Sequence, residues 1–149
     1  MLNLNSLPVV KVNMLIRKPI HDVFEAFINP EITTKFWFTK SSGRLEEGKI
    51  IRWEWEMYGV WDDIIVKKVE DNKRILVESS DKTIIEWRFT STTEHHTFVT
   101  IINSGFVGSG DEIVNQSIDS MGGYTMVLCG LKAYLEHNIE LNLVSDKML

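Results

Sequence analysis

Tryptophans set at alternate positions are the residues of this chain whose spacing points to chemistry. Trp53 and Trp55 alternate with Arg52, Glu54 and Glu56, and Trp87 and Phe89 alternate with Glu86, Arg88 and Thr90. A period of two puts each aromatic set on one face of a strand and the charged residues on the other. Large rings on the buried face of a sheet either fill the core or wall an apolar pocket. In a pocket, an indole N–H or a tyrosine hydroxyl can orient a ligand. Asp63, Tyr58 and Tyr124 are the polar side chains placed to act in such a space. Asp62 and Asp63 are adjacent in an extended run, so one of them turns inward, where a carboxylate could serve as a base; the other reading is a strand end in solvent. Glu86, Arg88 and Thr90 read as surface.

Other chemistries lack their residues. The four histidines are His21, His95, His96 and His137, and no pair has the spacing of a helical zinc site. His95 and His96 are adjacent and diverge in a turn, so no metal site is expected. Cys129 is the one cysteine, which excludes an intrachain disulfide, and it reads as a buried thiol within a helical apolar pattern. Nucleophile-elbow, metalloprotease and phosphate-loop motifs are absent. Gly105, Gly108 and Gly110 approach a dinucleotide fingerprint in number, but they follow an antiparallel strand, so no cofactor is expected.

These residues need elements to position them. Residues 9–16 read as a strand. Pro19 suits a helix start, and Val23, Phe24, Phe27 and Ile28 follow a helical period until Asn29-Pro30 breaks it. A short helix over 31–36 leads into Phe36-Trp37-Phe38. A short strand is placed near Arg44-Leu45, then strands over 51–57, 60–69, 75–78, 85–90 and 97–104, joined by turns. Such spacing predicts an antiparallel meander of six or seven strands. Asp111 is expected to cap a helix over 112–143, about 48 Å long at 1.5 Å per residue. Its stripe is Met121, Tyr124, Leu128, Leu131, Leu135 and Ile139. Gly122-Gly123 lies early in it and either allows a kink or makes room for a close neighbour or ligand.

The chain has 149 residues and a net charge of −5, which favours one domain, 1–149, and disfavours nucleic acid or anionic lipid as partner. At this size about 68–70% of the unfolded surface is buried on folding, enough for a core without staples. No apolar run is long enough to span a membrane and no leader pattern is seen, so the cytoplasm is the expected location.

The order strand, two short helices, antiparallel meander, long helix resembles the START-like, or SRPBCC, helix-grip arrangement, an α+β fold. Residues 19–27, with Pro19 and then Val23-Phe24, look like the opening helix of that family. Asn29-Pro30-Glu31 through Phe36-Trp37 resembles its second helix. Asn103-Ser104-Gly105-Phe106 resembles the segment before the closing helix. Gly122-Gly123-Tyr124 with Leu128, Leu131 and Leu135 looks like that helix, with Tyr124 where tryptophan is usual. Together these segments resemble the branch named for the activator of the heat-shock-protein ATPase.

The resemblance implies a cavity between sheet and helix suited to lipids, polyketides or flavonoid-like aromatics. It does not imply the co-chaperone activity, which in the eukaryotic members goes with a further N-terminal domain. The expected function is binding of a small apolar or aromatic molecule. Behind it stand an enzyme of the cyclase, dehydratase or hydrolase type and a module that binds a heat-shock-protein chaperone. No catalytic residue is carried over from the family. The expected ligand-binding residues are Trp37, Trp53, Trp55, Trp87, Phe106, Met121, Tyr124 and Leu128.

Overall fold

A computed structural model describes residues 2–148. Strand β1 (Val10–Ile16) is followed by helices α1 (Ile20–Ile28) and α2 (Pro30–Thr33). Pro19 occupies the cap position of α1, where its missing N–H costs nothing, and its carbonyl accepts from Asp22 and Val23. Asn29 ends α1 and caps α2 by accepting from the Glu31 N–H at 3.1 Å. Then come β2 (Lys40–Ser41), β3 (Ile50–Trp55), a 3-10 turn (Glu56–Tyr58), β4 (Val60–Glu70), β5 (Arg74–Glu78), β6 (Ile84–Thr93), β7 (His96–Ser104) and α3 (Gly110–His137). The strands form one antiparallel sheet in the order β1-β7-β6-β5-β4-β3-β2. The short strand expected near Arg44-Leu45 is instead Lys40–Ser41, and Leu45 goes into the core.

The alternation in the sequence sets the faces. Trp53 and Trp87 are buried with Ile51, Ile85 and Phe89, while Arg52 and Arg88 are exposed on the far side. Trp87, only 1% exposed, pairs with Ile75 and Ile101 and packs 5.8 Å from the Phe27 ring centroid. Trp55 shares this face but is half-buried, and Met57 turns outward because the strand gives way to the 3-10 turn. Glu86 is a correction. It lies on the outer face as expected, yet its side chain is only 11% exposed, because Arg74 and Arg88 close over it. Burial raises its carboxyl pKa, and the two guanidiniums more than offset that, leaving it below the usual range.

The long helix differs from its expectation at both ends. Ser109, not Asp111, is the cap: its hydroxyl accepts from Glu112 N–H at 3.2 Å, and Glu112 accepts from Ser109 N–H at 3.3 Å. Asp111 instead accepts the Leu2 N–H at 3.0 Å. The helix stops at His137 rather than near residue 143, because Asn138 takes the left-handed conformation at φ 55° and its N–H turns back to Tyr134. Its 28 residues span about 42 Å. Residues 139–148 then turn back beside the helix, with the carbonyls of Val144 and Ser145 facing the Tyr58 hydroxyl.

The glycine pair is not where the backbones approach. A Cβ at Gly122 would meet nothing within 4 Å, whereas one at Gly130 would lie 3.1 Å from Phe36 Cβ and 3.2 Å from its carbonyl oxygen. Gly122→Ala is therefore expected to stabilise the protein by about 0.5–1 kcal/mol, the ordinary gain for a helix interior. Gly130→Ala should destabilise it, because backbone must move. Urea unfolding of both variants checks this, and equal gains would show that α3 does not press on Phe36. In the same assay Trp87→Ala should cost about 3–5 kcal/mol, as for a fully packed aromatic.

Candidate functional site

Helix α3 is moored to β1. Lys132 Nζ donates to the Leu15 carbonyl at 2.8 Å and to Glu136, whose carboxylate also accepts the Arg17 N–H at 2.9 Å. Holding the helix at that edge leaves the β3–β4 end of the inner face for other groups to cover. There a cavity of about 300 Å³ lies between the middle of α3, the strands and the returning tail. This is at the lower end of the range for small-molecule sites, roughly 300–1,000 Å³. Trp37, Trp55 and Val60 wall one side; Gly123, Tyr124 and Val127 wall the helix side; Val144, Lys147 and Met148 border the half-open mouth.

Three of the aromatic residues proposed from sequence meet here: Trp37, Trp55 and Tyr124. The Trp37 ring centroid lies 5.8 Å from that of Tyr124 and 6.2 Å from that of Trp55. The structure places the other five elsewhere. Trp53 stands behind Trp37 at 4.9 Å and stacks on Phe38 at 5.0 Å. Trp87 and Leu128 are in the packed core. Phe106 packs with Val10 and Ile113 in a separate small cluster. Met121 is 47% exposed on the outside of α3. Gly123, half of the pair read as making room, does line the cavity; Val127 lines it too but was missed, although it falls on the Tyr124 side of the helix. Nothing in the periodicity marked Ser120, Met126 or the tail residues.

The acidic pair resolves by register. Asp62 lies opposite Trp53 and so shares the inner face, while Asp63 lies opposite Arg52 on the outer face. Asp63 is therefore not the polar group of the cavity. It forms a two-pronged ion pair with Arg52 at 2.8 and 2.9 Å, which holds the carboxyl below its usual range, and Arg52 also sits 5.4 Å over the Trp61 ring. Asp62 accepts from the Ser80 N–H at 3.1 Å.

Three hydroxyls line the cavity. That of Tyr58 donates to the Val144 carbonyl, and that of Ser120 donates to Asn103 Oδ1 at 2.7 Å. Tyr124 is different. Burial pushes its hydroxyl well above the ordinary phenol range, and the Asp62 and Asp81 carboxylates push it further in the same direction. It is a neutral donor at every ordinary pH. Such a lining can hold an apolar body and orient one acceptor atom. Among the described residues, one buried side-chain polar atom has no partner, the indole nitrogen of Trp87, enclosed by the aromatic core.

Residues 17–136 match the family described as Activator of Hsp90 ATPase homolog 1-like protein. The chain belongs to this family. Solved structures of the same fold agree. The protein SSP2350 from Staphylococcus saprophyticus is 32% identical, with 90% of this chain and 96% of that one aligned at a TM-score of 0.80. The Aha1 dimer from Colwellia psychrerythraea aligns over 88% of this chain and 98% of its own at 20% identity and TM-score 0.73. DynU16, from the dynemicin biosynthetic locus, aligns over 89% of this chain but only 48% of its own, at 23% identity and TM-score 0.74. No curated protein matches the chain. Among the described residues no helix is long and apolar enough to cross a membrane.

The raised phenol gives a pH prediction. A folded-state pKa above the unfolded value near 10 contributes stability that is whole below about pH 10 and is lost as the pH climbs through the folded value. In an alkaline titration followed at 295 nm, Tyr124→Phe should remove phenol ionisation only well above the ordinary phenol range. Loss of an early component instead would show that Tyr124 is open to water.

Proposed function

We propose that residues 1–149 act as one START-like domain that binds a small, flat, hydrophobic molecule in the cavity beside Tyr124. The observation that carries this reading is the cavity itself. Two indoles and two phenols converge on a largely apolar space of about 300 Å³ that the packed core does not fill. The fold supports the same reading, because DynU16, which shares it, comes from the dynemicin biosynthetic locus. The ligand class is the lipid, polyketide or flavonoid-like group. The neutral Tyr124 hydroxyl offers it one hydrogen bond, and the nearby Asp62 and Asp81 carboxylates disfavour an anionic group at that end. A carboxylate on the ligand would sit at the mouth, beside Lys147. Holding and orienting are what these groups do best, so binding takes precedence over catalysis.

Binding should quench tryptophan fluorescence, since Trp37 and Trp55 line the space, and should raise the melting temperature. At 100 times the dissociation constant the stabilisation is about 2.7 kcal/mol. Gly123→Leu puts a side chain into the cavity and should abolish the quench, whereas Gly122→Leu, which points into open space, should not. A panel of flavonoids, fatty acids and aromatic polyketides that neither quenches nor stabilises the wild-type protein would sink this reading.

A further inference from the structure

A second cavity, of about 250 Å³, adjoins the first, and Trp37 and Val144 belong to the walls of both. Gly123 borders one and Gly130 the other. Seven residues apart, these glycines lie on one face of α3 about 10 Å apart along its axis. The shared walls at Trp37 and Val144 make the two cavities neighbouring lobes along the helix, the second with polar side chains such as Lys35, Thr39 and Glu140 in its lining.

The segment that carries Val144 is weakly held. Residues 139–148 belong to no strand or α-helix, and the segment begins after left-handed Asn138 and bends at left-handed Asn142. Val144 packs against the core, and the Tyr58 hydroxyl donates to its carbonyl, with the Ser145 carbonyl 3.3 Å away. Leu143 is half-buried, and the remaining large apolar side chains of the segment gain little from docking: Ile139, Leu141 and Met148 are 51, 45 and 59% exposed.

We infer that residues 139–148 are a strap latched by Tyr58 across a two-lobed groove, and that the ligand filling both lobes is a rigid molecule of three or four fused rings that displaces Val144. This rests on the reading of the first cavity as a ligand site. Val144 then acts as a stand-in occupant, and apparent affinity for a long ligand is set by the fraction of molecules with the strap open. A short ligand fits one lobe and leaves the strap alone. Removing one neutral hydrogen bond from the latch shifts that equilibrium by about fivefold.

The test uses the full chain as wild type, Tyr58→Phe and Val144→Ala, with folding checked by circular dichroism, and two neutral probes. Nile red, a fused tetracycle, spans both lobes; 2-naphthol fits one. Nile red should bind Tyr58→Phe about fivefold tighter than wild type and associate faster, and Val144→Ala should change in the same direction, while 2-naphthol, whose lobe both residues line, should gain no such affinity from either change. Nile red affinity unchanged or weakened in both variants, with 2-naphthol still bound, overturns the strap and leaves the cavity reading standing. If neither probe binds any of the three folded proteins, the cavity reading itself fails and the strap with it.

Discussion

One long helix has to cover the inner face of a seven-stranded sheet, and it is moored at one edge. The Lys132 and Glu136 bonds to the backbone of Leu15 and Arg17 fix α3 beside β1. A helix with its side chains is about 10–12 Å across, while seven strands at about 4.8 Å spacing are far wider. Everything on the β3–β4 side follows from that mismatch. Helix α1 fills the middle with Phe24 and Phe27, which meet Phe89 and Trp87 at ring distances of 5.2 and 5.8 Å. Trp37 wedges in from the segment after α2 and touches Trp53, Trp55, Trp87 and Tyr124. What these groups leave unfilled is the cavity, and the tail borders its mouth.

The polar groups obey the same geometry. A strand shows alternate residues to opposite faces, so one step along β4 separates Asp62, turned toward the tryptophans, from Asp63, paired with Arg52 in solvent. The two carboxylates have the same chemistry and different consequences. Asp63 anchors an outer-face ion pair, of a kind that contributes little to stability when exposed. Asp62 adds negative potential near Tyr124 and helps keep that phenol protonated. The site is therefore apolar in its walls, with a neutral donor on the helix side and a cation, Lys147, at the mouth.

Much of this architecture is legible in the sequence, and the parts that are not fail for identifiable reasons. Period two in 51–55 and 85–89 fixes which side chains turn inward, and short turns fix an antiparallel order. Periodicity says which face a residue occupies but not how far along the sheet it lies from the helix. Trp53, Trp55 and Trp87 therefore look equivalent in the sequence, although only Trp55 reaches the cavity. The helix end was hidden because Ile139 and Leu143 continue the apolar spacing of Leu135, and an asparagine in the left-handed conformation leaves no strong sequence mark. The mouth of the cavity is built from residues 144–148, more than twenty positions beyond Gly123, and no local pattern ties them to it.

Chemical-shift perturbation of the five indole N–H signals tests the central claim most directly. The five tryptophans report three depths: Trp37 and Trp55 line the cavity, Trp53 and Trp87 lie behind it, and Trp61 is on the outer face. With a flat aromatic ligand such as a flavonoid, assigned spectra of the full chain should show the largest shifts at Trp37 and Trp55, smaller ones at Trp53 and Trp87, and none at Trp61. Shifts confined to Trp61, or no shift at Trp37 and Trp55 under saturating ligand, would contradict the account.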